Sequence, residues 1–258
     1  MALPKPYYRI ARPKASIPDY VVDSRYAPDR RQLSRAYINI EKELRNIFNY
    51  IEPDENNLKA FSFELYSLLL RACTEVELNC KLIMKANGAT RRDDHFTMND
   101  YKQIEQASQL SKYVAKFNNW RRKNPHSGEI EYISKEFIPF ANFAPSISKS
   151  PDWYSAYNTV KHNREENLEQ ANLENCMNAV AGILVLLYSQ FGAQCIETYG
   201  ISGIYWHLDG EYDNVFDADV IFTIHPPKIE DWSEAELYDF NWDTIKTDPE
   251  PFDKYRFT

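Results

Sequence analysis

Glycine is scarce in this chain, seven residues in 258. That scarcity argues against a many-stranded sandwich or barrel, whose tight turns need residues at positive φ. Cysteine is scarce as well. Cys73, Cys80, Cys176 and Cys195 are widely spaced, form no CxxC pair, and the first three fall on apolar helical faces. Isolated thiols in such places read as small buried hydrophobes, so neither disulfides nor zinc is expected. The histidines show no HxH or HxxxH spacing, and GxxxxGK[ST], GxGxxG and GxSxG are all missing, which removes the commonest metal, nucleotide and hydrolase readings. Long hydrophobic runs are also lacking. The longest, AVAGILVLLY at 179–188, falls short of the ~20 residues a bilayer span needs, and MALPKPYYRIARPK has no apolar leader core. The expectation is a soluble, cytoplasmic protein with no membrane association, no metal and no cofactor.

What is present is a chain with 43% hydrophobic residues, enough to bury one substantial core. The net charge of −8 is uneven. From Gly203 onward the sequence has 14 acidic and 4 basic residues, about −10, against 24 acidic and 26 basic before it, about +2. The first 35 residues are the most basic part, with Lys5, Arg9, Arg12, Lys14, Arg25, Arg30, Arg31 and Arg35 against Asp19, Asp23 and Asp29. Such an arm either tracks phosphate or lies over the fold as a polar leader.

Periodicity divides the chain into an extended arm at 1–30, a helical bundle at 31–198 and an acidic extension at 199–258. Five prolines between Pro4 and Pro28 exclude a continuous helix in the arm. Leu33, Tyr37, Ile40, Leu44, Ile47 and Ile51 recur at helical spacing up to Pro53. A longer stripe from Phe61 to Ile83 ends at Gly88, where a left-handed cap is natural. Thr97 and Asp100 mark the start of a third helix running to about Phe117, and residues 118–149 read as a loop or short hairpin. Ser150, Pro151 and Asp152 suit the cap, first position and positive end of a short helix. The most apolar stripe, Leu173 to Phe191 with a stop at Gly192, is the expected centre of the core. Beyond Tyr199, aromatics, β-branched residues, prolines and acids suggest short strands in an irregular appendage.

The short helix carries a polar cluster. Asn158 and His162 are four apart and share a face, with Lys161 and Arg164 close by. A histidine titrating near neutrality beside cations has the parts for proton transfer at a phosphate. A solvated helix face would look the same.

The order of elements, with YNTVKH at 157–162 feeding an apolar final helix, resembles the HEPN superfamily of helical nucleic-acid-acting proteins over roughly residues 31–195. Members carry an Arg, four to six residues of which the first is usually polar, and then a His. Asn158 and His162 match that pattern, whereas Tyr157 stands where the Arg would be. The resemblance implies an antiparallel helical bundle, a homodimer with the site across the two-fold, and, in active members, metal-independent RNA cleavage by attack of the ribose 2′-hydroxyl on the adjacent phosphate. His162 would be the acid or base, with Asn158 orienting. With the Arg missing, either Lys161 or Arg164 substitutes or the protein is inactive. This gives two readings: an endoribonuclease of the toxin or phage-defence kind, or a non-catalytic binding module that engages RNA or a protein partner.

Four further features belong with these readings. Glu75, on the long second helix, could orient Lys161 or His162, or simply pair with Arg71. Trp120 with Arg121, Arg122 and Lys123 combines a stacking ring with phosphate-reading cations, as single-stranded RNA binding would use, or forms a turn anchored by one Trp. Asn172, Asn175 and Asn178 recur along one side of the core helix. The acidic extension could fold over Arg31, Arg35 or Arg121 and occupy a phosphate groove, in which case its removal would raise RNA affinity.

Overall fold

The computed structural model describes residues 2–13, 18–195 and 221–257. It is mostly helical with one three-stranded antiparallel sheet. The helices are α1 (Arg30–Ile47), α2 (Phe63–Ala86), α3 (Met98–Tyr101), α4 (Ile104–Ser108), α5 (Asp152–His162), α6 (Arg164–Asn167), α7 (Leu173–Phe191) and α8 (Trp242–Ile245). The strands are β1 (Val114–Lys123), β2 (Ile130–Phe137) and β3 (Phe222–His225), in the order β2-β1-β3.

α7 is apolar around nearly its whole circumference and forms the axis of the molecule, with α1, α2 and α5 packed on it. Among the described residues it is the one helix long and apolar enough to cross a membrane, a length that the ten-residue apolar run alone does not convey, and it is largely enclosed by its neighbours. It starts at Asn172, whose side chain accepts from the Asn175 amide, and stops at Gly192, whose φ of 56° favours a residue without a Cβ. α2 starts likewise, with the Ser62 side chain accepting from the Leu65 amide, and turns its apolar stripe onto α7.

Two expectations are corrected. The Thr97–Asp100 capping box exists, but the helix it starts is short, because Gln109 adopts a left-handed conformation (φ 50°) and the chain enters β1 at Val114. β1 and β2 then form a hairpin, with a register shift between Phe117 and Trp120, where a loop or short hairpin was expected. At the start of α5 the capping position belongs to Pro151, one residue later than expected. No side chain caps it, and the first turn closes through the Pro151 carbonyl, which accepts from the Tyr154 and Ser155 amides.

The arm and the C-terminal segment are woven into the bundle together. The Leu3 amide donates to the Leu237 carbonyl and the Asp239 amide to the Leu3 carbonyl, the Asp253 amide donates to the Pro6 carbonyl and the Tyr8 amide to the Asp253 carbonyl, while β3 pairs with Val114–Phe117 of β1. Arg12 is 7% exposed, lies against the rings of Tyr7, Trp232, Tyr238 and Tyr255, and donates to the carbonyls of Glu236 and Ala107. Arg9 pairs with Asp29 and donates to Gln190, which itself donates to Asn79 of α2, so one buried polar chain links arm, α7 and α2. The described part of the acidic segment packs on Lys5, Arg12 and Arg25, and Arg121 pairs with Asp54 instead. The segment buries Tyr238 and Phe252 in the core, so it is structural rather than a detachable cover. Lys14, His207 and the stretches GIYWHLDG and DADV lie outside the described residues.

Candidate functional site

One face of α2, formed by Thr74, Glu77, Leu78 and Lys81 at helical spacing, opposes Tyr154, Asn158 and Lys161 of α5 across a cleft of about 660 Å³. The segment His95–Asn99, with Tyr101, closes one end. The volume lies in the range of small-ligand sites.

Side-chain hydrogen bonds fix the α5 wall. The Tyr154 hydroxyl donates to Glu77 Oε1 at 2.6 Å, and the half-buried Asn158 follows one turn along α5. Burial pushes the Tyr154 phenol far up, and the neighbouring Glu77 carboxylate adds to that, so it remains a neutral donor. Lys161 Nζ donates to the Tyr157 hydroxyl at 2.9 Å. That bond, with lesser contributions from nearby acids, raises the lysine above its ordinary value and keeps it charged. The Tyr157 ring centroid is 4.9 Å from the ammonium, farther than the hydroxyl, so the contact is a hydrogen bond rather than a stacked cation.

The carboxylates around the cleft are committed. Asp94 takes Lys81 at 2.8 Å and Lys85 at 3.2 Å, which hold its carboxyl below the usual range. Glu77 accepts from Tyr154. Lys161 makes no salt bridge among the described residues, and it is exposed on the cleft wall. The cleft thus presents Lys161 held by a hydroxyl, the Lys81–Asp94 ion pair, the Glu77 carboxylate, an amide at Asn158 and the exposed imidazole of His95, while Phe96 and Tyr101 contribute largely buried rings. A phosphate or other anion suits Lys161 there.

The residues expected from the sequence separate here. Asn158 and Lys161 line the cleft. His162, four residues beyond Asn158, is rotated a further ~40° around the helix. It is exposed outside the cleft lining, with no hydrogen bond among the described residues. Lys161 and His162 both sit in the last turn of α5, where the helix dipole favours positive charge. Arg164 lies against Phe63 and Tyr66 at the start of α2, 5.5 Å from each ring, about two turns from the cleft. Glu75 lies outside the cleft lining. Burial raises its carboxyl and the neighbouring Arg71 partly offsets this, while Arg71 itself pairs with Glu43 of α1.

The β1 group is not an open nucleic-acid surface. Trp120 is fully buried, edge-on to Phe117 and Phe137, with Lys135 over its ring at 4.9 Å, so no base can stack on it. Arg121 pairs with Asp54 at 2.5 Å and Arg122 with Glu131 at 2.5 Å, leaving Lys123 exposed at the hairpin tip. Asn172, Asn175 and Asn178 bond their own helix or the turn before it, each Nδ2 donating to a backbone carbonyl. The thiols of Cys73, Cys80 and Cys176 are buried in apolar surroundings that raise them, so they are not nucleophiles at neutral pH.

Sequence reasoning missed Glu77, Lys81 and His95. Glu75 and Glu77 flank the core position Val76 at about 100° on either side, so composition and period treat them alike. Only the placement of α5 against α2 selects Glu77. Comparison with known protein families, curated proteins and solved structures gives no match for this chain.

Proposed function

We propose that this protein is an RNA-directed helical module that acts by binding, taking a phosphate of a single-stranded segment in the cleft between α2 and α5. The observation that carries the reading is Lys161, an exposed cation on the cleft wall that is hydrogen-bonded to Tyr157 and not neutralised by a carboxylate. Asn158 supplies a polar contact one turn earlier, and the exposed His95 stands at the end wall. The order of helices and the Asn158–His162 spacing support a HEPN-like, degenerate member. The position occupied by a phosphate-stabilising Arg in that pattern is Tyr157, which is buried and engages Lys161.

The second reading, a metal-independent endoribonuclease of the toxin or phage-defence kind, is favoured by the exposure of His162 at the end of α5. Both readings are tested by incubating a mixed structured and single-stranded RNA pool, in EDTA, with wild type, Lys161→Ala and His162→Ala. Retention of RNA by wild type without cleavage, weakened in Lys161→Ala and kept in His162→Ala, supports binding. Cleavage leaving 2′,3′-cyclic phosphate ends that disappears in His162→Ala moves the assignment to the nuclease. Absence of binding by folded wild type removes both.

A further inference from the structure

β2 is an edge strand. It pairs with β1 on one side, and on the other its backbone groups make no backbone hydrogen bond to any described residue. Proteins usually blunt such an edge with a proline, a bulge, a very short strand or charged side chains. Of these β2 has only the charges, at Glu131, Lys135 and Glu136, each paired within the chain. It is eight residues long and free of proline, and the irregularity in the hairpin lies in β1, where Asn118 and Asn119 stand against Ser134. Its solvent face carries Ile130, 47% exposed, and Tyr132, 52% exposed.

We propose that this edge is a self-association surface, on which β2 of a second copy adds antiparallel about a two-fold axis at Ile133. The charge order of the strand selects this occupant. In that register Glu131 of each copy lies opposite Lys135 of the other, twice by symmetry, and Ile133 meets its own copy between the two pairs. Tyr132 lies opposite Ser134 and diagonal to the second Tyr132, within the reach of aromatic side chains across a sheet. The register overlaps Glu129–Phe137 completely, so no backbone group of the strand is left over, and the three-stranded sheet becomes six-stranded. A foreign extended peptide would also satisfy the backbone. Within the chain Glu131 pairs with Arg122 and Lys135 with Glu55; a strand with this order of charges adds a second opposite charge beside each, and the chain itself carries one.

The test is sedimentation equilibrium of the full chain, with fold monitored by circular dichroism. Wild type should dimerise. Glu131→Lys and Lys135→Glu should each weaken the dimer roughly tenfold, since two attractive cross-strand pairs become repulsive. The double variant restores opposite charges across the axis and should recover most of that loss, although it disturbs both internal pairs, with Arg122 and with Glu55, where each single variant disturbs one. Amide hydrogen exchange of wild type gives a readout free of mutation: protection within 130–137 should rise with protein concentration. A monomeric wild type, single variants without effect, or a double variant as weak as the singles would overturn the proposal. Strong protection of β2 in a monomer would overturn it too, by assigning the edge to another part of the same chain. None of these readouts involves RNA, so the proposal stands or falls separately from the function proposed for the cleft.

Discussion

Lys161 and Tyr157 lie one turn apart on α5, joined by a 2.9 Å hydrogen bond from the ammonium to the phenol oxygen. The pairing holds a charged group at the cleft without neutralising it. An ion pair there would have cancelled the charge that an incoming phosphate needs.

Lys161→Ala should weaken RNA binding about tenfold, equivalent to ~1.4 kcal/mol, and lower the slope of log affinity against log salt by about one, as expected for the loss of one phosphate contact. Its unfolding midpoint should barely change, because the side chain is exposed. Fluorescence anisotropy of a labelled single-stranded RNA at several salt concentrations reads both effects. An unchanged slope would remove Lys161 from the interface.

Asp54 gives a pH-dependent test of the sheet. Its carboxylate accepts from the Asn56 amide and from Arg121, and these interactions hold it below the ordinary carboxylate value. A depressed folded-state pKa means that the unfolded chain binds the proton more readily. The stabilisation is therefore present above the unfolded value of about 4 and is lost as pH falls through the lower folded value. Asp54→Asn should cost about 1–2 kcal/mol at pH 7, with the difference from wild type closing in acid, as pH falls through the depressed folded value. Urea titrations at pH 7 and in acid measure it, and a constant difference would refute the assignment.

Arg12→Ala should destabilise the fold by about 2–4 kcal/mol, since it removes two hydrogen bonds and a guanidinium enclosed by four rings. Arg12→Lys should recover little, because an ammonium cannot reproduce the planar fork that reaches two carbonyls while lying against aromatic faces. Chemical denaturation of the three proteins provides the comparison.

Truncation before Ile221 should abolish cooperative unfolding rather than raise RNA affinity. It removes β3 and takes Phe222, Tyr238 and Phe252 out of the core. Thermal unfolding followed by circular dichroism decides this, and a truncated chain with an intact transition would restore the view of the segment as a dispensable acidic tail.

The long helices were legible because each repeats its apolar residues over several turns. Leu33 to Ile47 and Leu173 to Phe191 are buried as their spacing requires. The error at 97–117 arose where a true capping signal was followed by too few residues to fix a period. Trp120 was left between a ring for RNA stacking and an anchoring one because a ring beside two arginines looks the same in sequence whether it faces solvent or core. In β1 the ring turns inward, and the arginines find Asp54 and Glu131.

The sequence by itself determined the helical class, the burial of α7 and the short helix bearing Asn158 and Lys161, because those depend on local periodicity and end signals carried by neighbouring residues. Tertiary structure alone decided that Glu77, Lys81 and His95 share a cleft with them, that His162 and Arg164 lie outside it, and that the basic arm and acidic segment fold into one another. The physical reason is that those relations join residues far apart in the chain, and they are set by which helix faces pack together, a choice no local pattern encodes.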